Sequence, residues 1–143
     1  MASLVLILTN PYSYETALNR ALASAREGRL QLKVVFAIDP NAVDELMRDL
    51  GENGWLGIGS RRSLQASMLE GYRALAADIL QEVEQLCVDR AIAVNTEVKE
   101  APLSVYLQSL VQQGSDCIWV SASKDLSPLV EKIPRPVEWI LED

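Results

Sequence analysis

The fold of this chain is decided near its end, where Cys117-Ile118-Trp119-Val120 is followed by Ser121-Ala122-Ser123-Lys124, a short helical pattern over Ser127 to Lys132, and Pro134-Arg135-Pro136-Val137-Glu138-Trp139-Ile140-Leu141. The two apolar runs have the length of β-strands, and a helix is predicted between them. Read with the opening run Leu4-Val5-Leu6-Ile7-Leu8, they indicate an α/β protein built on a parallel sheet.

The loop after the first of these strands contains hydroxyl groups and a lysine but no glycine. In open α/β sheets, ligands bind at the carboxyl ends of the strands, and glycine lets the backbone approach a phosphate closely. Ser121, Ser123, Lys124 and Ser127 supply three hydroxyl groups and one cation at this place. The loop therefore predicts either a polar ligand site or a solvated turn and helix cap.

The composition is that of a folded globular protein. The 143 residues are 49% hydrophobic and 23% charged, and a chain of this length can bury about 68–70% of its unfolded surface. We expect a single domain over residues 1–143, without internal repeats or linkers.

The charge and the hydropathy pattern exclude two classes of partner. The net charge of −7 argues against nucleic acid, because phosphate neutralisation needs clustered basic residues, and only Arg61 and Arg62 are adjacent. The run from Leu4 to Leu8 is far shorter than the ~20 residues that span a bilayer, and no basic segment precedes it as in a secretory signal. We expect no membrane contact and a cytoplasmic location.

The residue types present also limit the chemistry. There is no histidine, so Ser-His-Asp, Cys-His and histidine-based metal sites are excluded. Cys87 and Cys117 lie in helical and strand patterns and are predicted to be core thiols. Glu82, Glu84 and Asp89 form the solvated side of a helix, without a metal-ligand spacing. We expect no catalytic residue and no metal site, so the chain is predicted not to be an enzyme.

Short apolar runs alternate with helical periodicities along the chain. In the first predicted helix, Ser13 is the expected N-cap and Gly28 lies just past the end. Its predicted core positions are Ala17, Leu18, Ala21, Leu22 and Ala25. The predicted strands are Ser3–Thr9, Leu30–Ile38, Ile92–Val98, Asp116–Ser121 and Val137–Leu141, and the predicted helices are Tyr14–Arg26, Asn41–Leu50, Ser63–Arg90, Ser104–Gln113 and Ser127–Lys132.

The segment from Gly51 to Ser60 holds four of the seven glycines of the chain and is predicted to be a loop. Its glycines, followed by Arg61 and Arg62 at a helix start, have the chemistry of an anion cradle. However, the segment does not follow a strand directly, and it lacks the Gly-Lys-Ser/Thr ending of a P-loop. We interpret it as a lid or a subunit contact, with Trp55 as its apolar anchor.

Three segments resemble the universal stress protein family: Leu4 to Thr9, Leu30 to Asp39, and Ser115 to Ser121 continued by Val130 to Val137. The resemblance includes the long helix before the third strand and so extends over nearly the whole chain. It implies an adenine nucleotide alpha hydrolase-like fold, which is an open, doubly wound, five-stranded parallel sheet of order 3-2-1-4-5 with helices on both faces.

Many members of that family bind ATP, through an aspartate after the first strand and a glycine motif after the fourth. Here Thr9 or Asn10 stands at the place of the aspartate, and Ser121 at the place of the first glycine. A serine Cβ keeps the backbone farther from a phosphate, so the nucleotide site is predicted to be degenerate and its cofactor is unknown. The candidate binding residues are Thr9, Asn10, Asp39, Ser121, Ser123, Lys124 and Ser127.

The fifth predicted strand carries an interaction signal. Val137, Trp139 and Leu141 share one face, and a tryptophan on an edge strand can anchor an interface. The family resemblance implies a homodimer that pairs the fifth strands of two copies. The alternative is that Glu138 and Glu142 guard an exposed edge against pairing.

The sequence therefore predicts a non-catalytic regulatory or stress-related binding module of universal stress protein type, acting as a homodimer. Two alternatives stay open. One is a functional ATP or AMP binder, or a slow ATPase, that uses a non-standard phosphate loop over Ser121 to Ser127 and the Gly51 to Ser60 segment. The other is a structural subunit of a protein partner.

Overall fold

The computed structural model of the chain describes residues 3–40, 58–114, 117–122 and 137–142, without the side chains of residues 58–62. The predicted helices over 41–50 and 127–132, and residues 51–57 of the glycine-rich segment, lie outside these ranges. The elements are β1 (Ser3–Leu8), α1 (Glu15–Gly28), β2 (Gln31–Ile38), α2 (Ile58–Asp89), β3 (Val94–Glu100), α3 (Leu103–Gln112), β4 (Ile118–Ala122) and β5 (Val137–Leu141).

The five strands form one parallel sheet in the order β3-β2-β1-β4-β5, which confirms the predicted Rossmann-like fold class. In the central strand β1, the five residues from Leu4 to Leu8 are all buried. A continuous buried run of this kind arises because helices cover both faces of a parallel sheet. Leu6 is in register with Val34 of β2 on one side and with Trp119 of β4 on the other.

Alternate residues of each strand divide the core between two faces. Leu4, Leu6 and Leu8 pack with α1 and α2 on the first face. Val5 and Ile7 pack with α3 on the second face. The connections explain this division, because right-handed crossovers that run in opposite directions along the sheet place their helices on opposite faces. The crossovers through α1 and α2 run from β1 toward β3, and the crossover through α3 runs back from β3 to β4.

Helix α1 buries the five predicted core residues, Ala17, Leu18, Ala21, Leu22 and Ala25. Both predicted ends of the helix are wrong. Tyr14, not Ser13, is at the N-cap, and its side chain makes no capping hydrogen bond. Gly28 is the last helical residue, and Arg29 takes the left-handed conformation instead, with φ of 51°.

Helix α2 begins at Ile58 rather than Ser63, so the last three residues of the predicted Gly51 to Ser60 loop are helical. Apolar residues recur at helical spacing along α2 from Leu64 to Cys87, but buried ones begin only at Ala76, and Leu75 is 36% exposed. Length explains the difference: a helix of 32 residues is about 48 Å long, whereas β3, with seven residues, is about 23 Å. The helix therefore runs well past the strands that it covers.

Strand β3 and helix α3 are each displaced slightly from their predicted bounds. β3 begins at Val94, because Ala91 adopts a φ of 55° and the N–H of Ile92 still donates to the carbonyl of Cys87 at 2.8 Å. α3 ends at Gln112, and Gly114 follows with φ of +85°, a conformation that glycine adopts without steric penalty. The exposed pattern of β3 confirms that this strand forms a half-exposed edge.

Candidate functional site

The strand order reverses between β1 and β4, and the carboxyl ends of these two strands are where an open α/β sheet usually binds a ligand. Two predicted site residues meet there. The backbone N–H of Thr9 donates to the carbonyl oxygen of Ser121 at 3.2 Å, and the Thr9 hydroxyl donates to the same oxygen at 2.7 Å. These bonds hold the two strand ends together, and they engage the Thr9 hydroxyl within the protein.

The Ser121 side chain is enclosed at this point. The residue has 0% exposure, and its hydroxyl oxygen has no hydrogen-bond partner among the residues that the structure describes. It alternates with Val120 along β4, so it faces the same side of the sheet as Trp119, toward α1. An unpaired buried hydroxyl lowers stability, because it has lost water without gaining a partner.

Replacing Ser121 with alanine is therefore expected to raise the free energy of unfolding by about 1 kcal/mol. Replacing Thr9 with valine, which is similar in shape, is expected to lower it by about 1 kcal/mol, because a satisfied hydrogen bond is lost. Urea denaturation of the two variants and the unmodified protein measures both effects. Destabilisation by both substitutions would mean that the Ser121 hydroxyl has a partner.

Asn10 shapes the loop that follows β1. Its side-chain oxygen accepts a hydrogen bond from the backbone N–H of Tyr12 at 3.0 Å, which is the geometry of an Asx-turn. Tyr12 itself is 81% exposed. The predicted role of Asn10 beside a nucleotide stays a prediction; the structure shows a residue that stabilises its own turn.

The N-terminus of α1, which opens at the same edge of the sheet, is capped by a distant carboxylate. The Glu142 side chain, just after β5, accepts hydrogen bonds from the backbone N–H groups of Thr16 at 3.2 Å and Ala17 at 3.1 Å. Free N–H groups and the helix dipole make such an end favourable for an anion. In this protein the anion is supplied by the chain itself.

Asp39 caps the N-terminus of helix α3 in the same way. It follows β2, and its carboxylate accepts a hydrogen bond from the backbone N–H of Leu103, the first residue of α3, at 3.1 Å. The residue at the N-cap position, Pro102, provides no side-chain hydrogen bond. The predicted nucleotide contact Asp39 is thus placed as a cap on α3.

These two caps set the electrostatics of the candidate site. Glu142 on α1 and Asp39 on α3 each place a negative charge where a phosphate would otherwise be attracted, and Glu15 adds a third in the first turn of α1. A phosphate approaching either helix would meet like charge and occupied N–H groups. The described part of this edge therefore holds three carboxylates close to two helix N-termini.

Three titratable side chains are held in unreactive states: Tyr14 at the start of α1, and Cys87 and Cys117 at the opposite edge of the sheet, ahead of β3 and β4. Burial, and then the charges of Glu82 and Glu15, raise the pKa of Tyr14, so its hydroxyl stays protonated. Burial is also the largest cause that raises the pKa of Cys87 and of Cys117, which are both free thiols. Such thiols form little thiolate at neutral pH and are poor nucleophiles.

Within residues 3–40, 58–114, 117–122 and 137–142, no three acidic or cysteine side chains converge in a way that could hold a metal ion. Helices that combine enough length and apolar character to cross a membrane are also absent from these ranges.

One arginine of helix α1, Arg20, contacts side chains of both β4 and β5. The Arg20 guanidinium lies 5.3 Å from the centre of the Trp119 ring and 3.4 Å from a carboxylate oxygen of Glu138. Because both charged side chains are about half exposed, the ion pair itself contributes little stability, and the contact with the ring is its more specific part.

Sequence reasoning placed some site residues and missed others. Thr9 and Ser121 are in contact, and their role in ligand binding stays a prediction, whereas Ser123, Lys124 and Ser127 lie outside the described residues. The capping role of Glu142 was missed. The sequence offers one signal for this role: a glutamate directly follows the fifth strand, at the same sheet edge as a helix start that lacks a local cap.

Comparisons with solved structures locate this fold among known ones. A structure of a protein from the universal stress protein family of Burkholderia pseudomallei matches with a TM-score of 0.67 at 16% identity, over 96% of this chain and 96% of that chain. A hypothetical protein, solved for structure-based assignment of its biochemical function, matches with a TM-score of 0.60 at 11% identity, over 100% of this chain and 99% of that chain. No protein-family model and no curated protein matches the sequence.

The likeness confirms the resemblance at the level of the fold. The chain has the five-stranded architecture of a universal stress protein structure over nearly its whole length. At these identities, the neighbours carry no information about individual site residues.

Proposed function

We propose that this chain is a non-catalytic regulatory or stress-related binding module of universal stress protein type, located in the cytoplasm, whose nucleotide site is degenerate. One observation carries the proposal: the N-termini of α1 and α3 at the carboxyl edge are bound by Glu142 and Asp39 of the same chain. A nucleotide phosphate would have to displace a carboxylate and remain near its charge.

The alternative function is ATP or AMP binding, or slow ATP hydrolysis, through a non-standard phosphate loop. It is favoured by the Ser121 hydroxyl, which is buried without a partner beside the switch point of the sheet. In this reading, the unpaired hydroxyl is retained because a ligand uses it. The carboxylates already bound at the N-termini of α1 and α3 support the first proposal over this one.

A thermal-shift titration distinguishes the two functions. We expect millimolar ATP, ADP, AMP and cyclic dinucleotides to leave the melting temperature unchanged. A ligand present at one hundred times its dissociation constant would add about 2.7 kcal/mol to the free energy of unfolding, which is readily measured. A clear rise in melting temperature with any of these nucleotides would establish the alternative.

A double variant tests whether the carboxylates of Glu142 and Asp39 oppose ATP binding. The double substitution Glu142→Gln and Asp39→Asn removes both charges and keeps the size of both side chains. It is expected to increase the affinity for ATP relative to the unmodified chain, because like charge no longer opposes the phosphates. Glu138→Gln is the matched control, since this glutamate contacts Arg20 and neither helix N-terminus.

We further propose that the module is a homodimer paired through β5, with a protein partner as a possible additional ligand. Among the described strands, β5 pairs only with β4, so its other side forms an edge. The N–H of Glu142 points toward β4, where it donates to Ala122 at 3.0 Å, and backbone groups alternate along a strand. The N–H of Leu141 therefore points outward, and its side chain is 36% exposed.

A further inference from the structure

A cleft of about 420 Å³ opens between the edge strand β3 and helix α3. It lies on the second face of the sheet, away from α1 and α2, and β2 separates it from the switch point beside β1. It is therefore a different place from the candidate nucleotide site. The polar residues that line it are Lys33, Glu97, Lys99, Tyr106, Ser109 and Gln113.

The most informative group in this cleft is the Tyr106 hydroxyl. Tyr106 is 8% exposed, and its hydroxyl oxygen is shielded from water without a hydrogen-bond partner in the described part of the chain. Burial, and then the charge of Glu97, raise the pKa of this phenol, so the hydroxyl keeps its proton. A buried donor without an acceptor is rare in native proteins, and it is explained when a ligand supplies the acceptor.

Two ammonium groups and one carboxylate set the charge of the cleft. Lys33 pairs with Glu97 at 3.1 Å, which leaves these two charges balanced. The Lys99 ammonium lies 5.8 Å from the centre of the Tyr106 ring and adds one positive charge. The cleft thus carries a net charge of about +1 in a chain with net charge −7, so the positive charge is local to this site.

The remaining walls fit the body of a small organic molecule. Ala101, Val105 and Leu110 provide apolar surface, and the volume falls in the range of about 300–1,000 Å³ that small-molecule clefts occupy. The side-chain amide of Gln113 donates to the Ser109 hydroxyl at 3.3 Å, which orders the polar end of the helix beside the cleft.

We propose that this cleft binds a small organic monocarboxylate, with its carboxylate held by the Lys99 ammonium and the Tyr106 hydroxyl and its apolar body against Val105 and Leu110. A single negative charge matches the excess charge of the cleft, whereas the charge of a phosphate dianion would exceed it. This site is independent of the proposed nucleotide function and stands or falls separately from it.

The test uses benzoate as the probe and the full chain, observed by two-dimensional amide NMR. Millimolar benzoate is expected to shift the amide signals of β3 and α3 in a saturable manner. Benzylammonium, which has a similar shape and the opposite charge, is expected to leave them unchanged. Tyr106→Phe and Lys99→Gln are each expected to weaken benzoate binding about tenfold or more, which corresponds to about 1.4 kcal/mol.

The melting temperature distinguishes a binding role of the Tyr106 hydroxyl from a structural role. Tyr106→Phe removes an unpaired buried hydroxyl, so it is expected to raise the melting temperature while it weakens binding. Tyr12→Phe is the matched control, because Tyr12 is exposed and outside the cleft, and it should change neither quantity. The proposal is overturned if benzoate causes no saturable shift, if benzylammonium binds as well, or if Tyr106→Phe binds benzoate with unchanged affinity.

Discussion

Replacing Leu107 with alanine is expected to lower the free energy of unfolding by about 2–5 kcal/mol. Leu107 has 0% exposure, and it is one of only four buried residues in the ten-residue helix α3. The truncation removes apolar contacts and leaves a cavity between α3 and the second face of the sheet, where Val5 and Ile7 lie. Since whole domains are stable by about 5–15 kcal/mol, this is a large fraction of the total.

The matched control for this substitution is Val105→Ala in the same helix. Val105 is 58% exposed, so its truncation should change the free energy of unfolding by no more than about 0.5 kcal/mol. Urea denaturation followed by circular dichroism measures both variants under the same conditions. Equal effects at Leu107 and Val105 would contradict the observed orientation of α3 on the sheet.

Replacing Leu141 with proline is expected to weaken the proposed homodimer about a hundredfold. The Leu141 N–H points away from β4, so proline removes no hydrogen bond inside the sheet. In a two-fold dimer paired through β5, the same change removes two N–H donors, and each such bond is worth about 1–1.5 kcal/mol. Light scattering and sedimentation equilibrium, at a range of concentrations, measure the dissociation constant.

Leu141→Ala is the matched control for the proline substitution. It removes the same exposed side chain and keeps the N–H group, so the difference between the two variants reports strand pairing alone. Both variants should keep the melting temperature of the isolated subunit. A mass near that of one chain for the unmodified protein would refute the homodimer, and Glu138 and Glu142 would then be read as guards of an unpaired edge.

Periodic patterns predicted the elements that the structure describes and the buried side of α1. The five core residues of α1 follow from a 3.6-residue period, because a helix that packs on a sheet must bury a continuous stripe. The buried run from Leu4 to Leu8 likewise identified a central strand. The strand order came from the family resemblance, since periodicity does not determine which strands pair.

Long-range contacts were beyond the reach of such patterns. Ser13 has the residue type of an N-cap, yet α1 receives its cap from Glu142, which local spacing cannot reveal. The helical spacing of the apolar residues in α2 was predicted correctly, but the extent of their burial was not. Burial depends on where the sheet under the helix ends, which the spacing does not reveal. The cleft beside Tyr106 depends on how far α3 lies from β3, which is a tertiary quantity.

The cap supplied by Glu142 also has a consequence for the order in which the molecule is made. Thr16 and Ala17 are separated from Glu142 by 126 and 125 positions, and β1 acquires its second neighbour only with β4. A fourteen-residue helix is marginal by itself, so α1 gains its full stability only after the last strand has docked. During synthesis, α1 therefore acquires its cap only after Glu142 has been added to the chain.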